Sequence, residues 1–190
     1  MITMVWLYYL VSYLVGNIMF GYLVSMLLKG QDIREQGSGN VGARNAGRVY
    51  GKKAFVLTFL GDALKGAFVV LAGRYLLHFS ETVQLLGLVF VIVGHLKPIV
   101  LKFKGGMGIS TFIGGIIAFE PLIASIIVLA FLVLYPFLKS FTFTGLGSFL
   151  FIPVFLIFKT DNWVIPAIVL GMIFLLILVH IENIKERIKK

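Results

Sequence analysis

Long apolar runs with few charges constrain this chain more than any other feature. Met4–Leu28, Ala54–Leu77 and Trp163–Val179 each meet or approach the length of about 20 residues that a helix needs to cross the hydrocarbon core of a bilayer. A water-soluble fold would lack the polar surface it needs, since 13% of the residues are charged and 59% are hydrophobic, against roughly 25% and 45–50% in soluble domains. The runs do not alternate as outer-membrane strands do. The chain is therefore read as an all-α, polytopic membrane helix bundle. The first run has no basic stretch before it and leads into further spanning sequence, so it is not read as a cleavable signal. Cysteine is absent, which excludes disulfides and thiolate chemistry.

About seven crossings are expected, at Met4–Leu28, Ala54–Leu77, Val83–Leu101, Ile109–Phe119, Leu122–Leu138, Leu146–Phe158 and Trp163–Val179. The fourth and sixth are short and would be tilted, extended or shielded by neighbours. This division puts Lys29, Arg34, Arg44, Arg48, Lys52, Lys53, Lys97, Lys102, Lys104, Lys139 and the basic tail on one side. By the positive-inside rule that side is cytoplasmic, with the N-terminus outside and the C-terminus inside. The same rule accounts for the formal charge of +9 without nucleic-acid binding. Neither a repeat nor a linker divides residues 1–190, which read as a single integral membrane domain. The connections on the opposite face are too short to hold a folded module.

Three polar segments fall on the basic face. The first, Gly37 to Arg48, contains a formal GxGxxG, but it follows a membrane helix rather than a strand, so a dinucleotide site is rejected. Its glycines, Gly39 among them, let backbone amides approach a ligand, while Ser38, Asn40 and Asn45 add hydrogen-bonding groups. Arg44 and Arg48 add charge suited to phosphate or carboxylate. The bland alternative is a solvated, positive loop. In the second segment Lys102, Lys104, Gly105, Gly106 and Gly108 lead into a helix whose N-terminal amides favour an anion. It lacks Walker spacing, and an interfacial turn with lysines is the alternative. The third, His180-Ile181-Glu182-Asn183, places His180 and Asn183 on one helical face, and histidine is the usual general acid or base near neutral pH. Asp62 and Lys65, three apart within the second apolar run, can neutralise each other and are read as a structural ion pair.

These segments, in this order, resemble the bacterial membrane glycerol-3-phosphate acyltransferases that use acyl-phosphate as donor. The family's GSGNxGAxNxxR matches Gly37 through Arg48; its GHxxPxxLKFKGGxG matches Gly94-His95, Pro98 and Leu101 through Gly108. HxEN matches His180, Glu182 and Asn183, and DxxKG matches Asp62 and Lys65-Gly66. The resemblance spans about Gly21 to Lys190. It implies a seven-helix enzyme of the bacterial cell membrane, with its active site facing the cytoplasm and no cofactor or metal. The enzyme would make 1-acyl-glycerol 3-phosphate (lysophosphatidate) and phosphate from glycerol 3-phosphate and acyl-phosphate, the first step of phospholipid synthesis. The resemblance further implies that Ser38, Arg48, His180 and Asn183 serve catalysis and that the glycine-rich loop binds glycerol 3-phosphate. It makes Glu182 structural.

The match has departures. Met107 stands where the family commonly has a lysine, Arg44 where it has a small threonine, and Ile181 where it has an arginine. Gly145-Leu146-Gly147-Ser148 loses one serine of the family's SLxS, and SxP in the first helix reads Asn17-Ile18-Met19. Arg44 is expected to supply the charge that Met107 lacks; the alternative is a catalytically weakened paralogue. From another class, an organic-anion transporter would use broken helices and basic residues, but no inverted repeat is visible. A non-catalytic scaffold would leave the ordered motifs without a purpose.

Overall fold

A computed structural model describes residues 2–188, with side chains described to residue 181. Among them there are ten α-helices, and the chain divides into two compact units, Met1–Phe119 and Glu120–Lys190.

The first unit opens with α1 (Ile2–Gly16) and α2 (Phe20–Lys29), one apolar stretch broken at 17–19. No proline stands at the break. Asn17 competes with the helix for backbone partners: its Nδ2 donates to the Tyr13 carbonyl at 2.7 Å, and its Oδ1 accepts from the Ile99 N–H at 2.6 Å. α3 (Ala43–Tyr50) follows, then α4 (Lys52–Leu71) with a π turn over Ala72–Leu76, α5 (Glu81–Leu96) and α6 (Ile109–Phe119).

α4 shows how the sequence orders this unit. Thr58, Gly61, Asp62, Lys65, Gly66 and Val69 are buried at helical spacing. Leu57, Leu60, Leu64 and Phe68 on other faces are exposed. Polar groups inward and large apolar groups outward is the reverse of a water-soluble helix, and it suits a surround of lipid tails. Small residues permit close approach. A Cβ on Gly16 would strike the Val91 carbonyl of α5, and one on Gly94 would strike the Tyr13 carbonyl of α1. Cβ atoms on Gly66 and Gly114 would likewise strike the carbonyls of Thr111 and Ala63, where α4 meets α6. At the far end of this unit Arg74 donates to the carbonyls of Ala118 (3.3 Å) and Phe119 (2.6 Å), capping the C-terminus of α6 with a cation.

The second unit comprises α7 (Ile123–Leu138), α8 (Phe141–Phe149), α9 (Phe151–Lys159) and α10 (Val164–Ile188). Lys159 Nζ meets Glu120 Oε2 at 2.7 Å, joining two of the connections expected on the less basic face.

Among the described residues five stretches are long and apolar enough to cross a membrane: Ile2–Lys29, Lys52–Leu76, Glu81–Leu101, Phe141–Lys159 and Val164–Ile181. The other two expected segments are shorter apolar helices of 11 and 16 residues. The sixth segment starts earlier than hydropathy suggests, because the Ser140 hydroxyl caps α8 by accepting from the Phe143 N–H.

Candidate functional site

The first polar loop is a built structure rather than a solvated strand of chain. Asp32 opens it, accepting from the Arg34 N–H at 2.9 Å and pairing with the Arg34 guanidinium. That guanidinium holds the Asp32 carboxyl below the usual carboxylate range. Gly37 and Gly39 take φ of 57° and 73°, the left-handed region that glycine enters without strain. Asn45, buried on α3, closes the turn. Its Oδ1 accepts from the Ser38 N–H at 2.8 Å, while its Nδ2 donates to the carbonyls of Gln36 and Asn40, both at 3.0 Å. The Asn40 side chain accepts from the Gly42 N–H at 2.7 Å. Both asparagines thus shape the loop that presents the half-buried Ser38, and Arg44 and Arg48 are exposed on α3.

The second loop follows a 3-10 turn at Ile99–Leu101. Lys102 and Phe103 are consecutive non-glycine residues in the left-handed region, with φ of 54° and 61°. Such backbone costs on the order of 1–3 kcal/mol per residue. It is held by Phe103 N–H to the Pro98 carbonyl (2.8 Å) and Lys104 N–H to the Leu101 carbonyl (3.2 Å). Gly105 and Gly106 then lie against the end of α5, where a Cβ on Gly105 would strike the His95 carbonyl and one on Gly106 the His95 ring. After Gly108 (φ 78°) α6 begins, its first amides directed back at the loop.

The two loops meet. Arg34 Nη1 donates to the Leu101 carbonyl at 3.2 Å, and Leu101 shares an apolar cluster with Ile33, Val41 and Ala46 of the first segment. The Tyr13 hydroxyl adds a bond to the Lys97 carbonyl at 2.8 Å. Ser38, Asn40, Asn45, Lys102, Lys104 and the glycines therefore belong to one end of the first unit. Beside it Arg44, Gly47, Lys52, Phe55 and Val56 line a cavity of about 380 Å³.

Beneath the second loop lies a buried ionic cluster. Lys65 Nζ sits 2.9 Å from Asp62 Oδ1, as expected for an i,i+3 pair. It also reaches the Gly16 carbonyl at 3.1 Å and the Ile18 carbonyl at 2.6 Å, satisfying oxygens that the break after α1 releases. His95 is the member that sequence reasoning missed, with Nδ1 at 2.9 Å from Lys65 Nζ and 3.5 Å from Asp62 Oδ1. The GHxxP motif marks the position, but its partners stand thirty residues and more away in sequence.

In the second unit His180 is buried on α10, and its Nδ1–H donates to the Leu176 carbonyl at 2.8 Å. In the neutral ring this leaves Nε2 as the proton-accepting nitrogen. His180 borders an apolar cavity of about 240 Å³ with Phe143, Leu146, Leu150 and Ile177. The backbone of α10 continues through Ile188; the side chains of Glu182 and Asn183 lie outside the described residues.

Residues 6–190 match the protein family described as glycerol-3-phosphate acyltransferase. The chain is 48% identical over 176 residues to a glycerol-3-phosphate acyltransferase 1 of Bacillus cereus, covering 93% of this chain and 96% of that one. It is 38% identical to another of that name from Desulfitobacterium hafniense, covering 94% and 88%. A crystal structure of PlsY, an integral membrane glycerol 3-phosphate acyltransferase in its glycerol 3-phosphate form, superposes with a TM-score of 0.85. That match has 30% sequence identity and covers 97% of this chain and 92% of the other.

Proposed function

The chain belongs to the glycerol-3-phosphate acyltransferase family, and from that premise we propose the reaction it runs: acyl transfer from an acyl-phosphate to glycerol 3-phosphate. The hydroxyl of glycerol 3-phosphate attacks the acyl carbonyl, the bond from that carbon to the phosphate oxygen breaks, and 1-acyl-glycerol 3-phosphate and inorganic phosphate leave. Phosphate departs readily from a mixed anhydride, so positioning and charge stabilisation carry the catalysis and no covalent enzyme intermediate is needed.

The observation that carries this reading is the juncture of the two glycine-rich loops through Arg34 and Leu101. It gathers backbone amides, Ser38 and several cations at one end of the first unit, a setting for an anion. Within it Ser38 and Arg48 are proposed as catalytic. Gly39, Arg44, Lys102, Lys104, Gly105, Gly106 and Gly108 are proposed to contact phosphate, with Asn40 and Asn45 acting through the loop they shape. On the motif, His180 and Asn183 also serve catalysis, with His180 Nε2 or a phosphate oxygen taking the hydroxyl proton, and Glu182 is structural. Residues 1–190 act as one acyltransferase domain of the bacterial cell membrane. It crosses seven times with the N-terminus outside, the C-terminus inside and the polar loops facing the cytoplasm.

Purified protein given palmitoyl-phosphate and glycerol 3-phosphate should release phosphate and form lysophosphatidate in equal amounts, identified by mass. Ser38→Ala and Arg48→Ala should abolish both. Folded, detergent-stable protein that yields no product across several chain lengths would point to a non-catalytic paralogue disabled at Met107.

A further inference from the structure

We propose that His95 is a positioning residue for the glycine-rich loop, seated by Lys65 and Asp62 and holding Gly106 against the end of α5. The proposal rests on reading that loop as an anion site. A lysine–aspartate pair three residues apart on one helix neutralises itself, so neutralisation leaves no task for the imidazole. The ring instead stands between the pair and the loop. Nδ1 stands 2.9 Å from the Lys65 ammonium and 3.5 Å from Asp62 Oδ1, so the ion pair seats that edge of the ring. Nε2 is left as the edge that Gly106 faces. His95 also holds the loop through its main chain, accepting from the Gly106 N–H at 3.0 Å. One residue thus fixes the loop by both carbonyl and side chain, two residues before Gly108 turns the chain into α6. The position of α6's opening amides is set from α4 through His95, which need not touch substrate.

A double-mutant cycle on full-length protein in detergent tests this. The readout is the concentration of glycerol 3-phosphate, and separately of inorganic phosphate, that half-protects against thermal unfolding. Gly106→Ala places a methyl against the ring and should raise that concentration about tenfold or more, whereas in a His95→Ala background the same change should matter less than about twofold. Where His95→Ala does not fold, His95→Asn takes its place, keeping a polar group near Nδ1 while vacating the ring edge. Equal effects of Gly106→Ala in both backgrounds would overturn the proposal. Wild-type protein that neither anion protects would overturn it as well, since no anion site would then exist to be positioned. Lysophosphatidate formation by the same wild-type preparation tests the proposed reaction separately, so the two can fail independently.

Discussion

Asn45 Oδ1 accepts the Ser38 N–H at 2.8 Å, and the same amide donates two further bonds to the carbonyls of Gln36 and Asn40. A carboxylate can replace the acceptor half of that arrangement but not the donor half. Asn45→Asp should therefore leave two carbonyls facing an oxygen and destabilise the protein by about 2–4 kcal/mol, at about 1 kcal/mol for each lost bond plus the unpaired groups. The melting midpoint in detergent should fall and turnover with it. An unchanged midpoint would show that the loop does not depend on this amide.

Lys65→Met strands the buried Asp62 and also removes the partner of the Gly16 and Ile18 carbonyls. Breaking one side of a buried pair costs about 3–5 kcal/mol, whereas replacing both sides by apolar groups is far milder. The single variant should melt well below wild type, and Asp62→Leu combined with Lys65→Met should recover much of the loss. Detergent melting curves of the set decide it.

His180→Asn keeps a donor near the place of Nδ1–H for the Leu176 carbonyl but has no basic nitrogen. With His180 as general base, turnover should drop about 10²- to 10⁴-fold while the melting midpoint barely moves. Normal turnover would assign the proton to a phosphate oxygen.

If Arg44 replaces the charge missing at Met107, Arg44→Thr should raise the KM for glycerol 3-phosphate steeply, and adding Met107→Lys should restore part of it. Steady-state kinetics on the two variants measure this. An unchanged KM in Arg44→Thr would remove Arg44 from phosphate binding.

The Asp32 carboxyl, held below the usual carboxylate range by the Arg34 guanidinium, favours the folded loop when ionised. That contribution is full above the ordinary carboxylate pKa and disappears as pH falls through the lowered native value. Asp32→Asn should imitate the acid form at neutral pH and loosen the tie from Arg34 to Leu101. The difference in melting midpoint between variant and wild type should therefore shrink in strong acid.

Membrane-spanning runs and glycine motifs were legible because both are local in sequence: apolar length marks a crossing, and left-handed turns favour glycine. The break at Asn17 was not, because no proline marks it and its partner Ile99 lies far along the chain. His95 was hidden for the same reason, its role arising only where α4, α5 and the second loop converge. Asn45 was expected as a phosphate-binding residue, and its amide bonds the loop's own backbone; a short motif does not say which way an amide faces.

Asp62 and Lys65 also bear on how the protein is made. A lone ionised residue near the middle of an inserting helix costs about 2.5–3.5 kcal/mol on insertion scales. Because both charges ride on α4 within one turn, the apolar stretch around them carries its counterion with it and brings a neutral pair into the bilayer. The transmembrane voltage then does no net work on the buried pair, during biogenesis or afterwards.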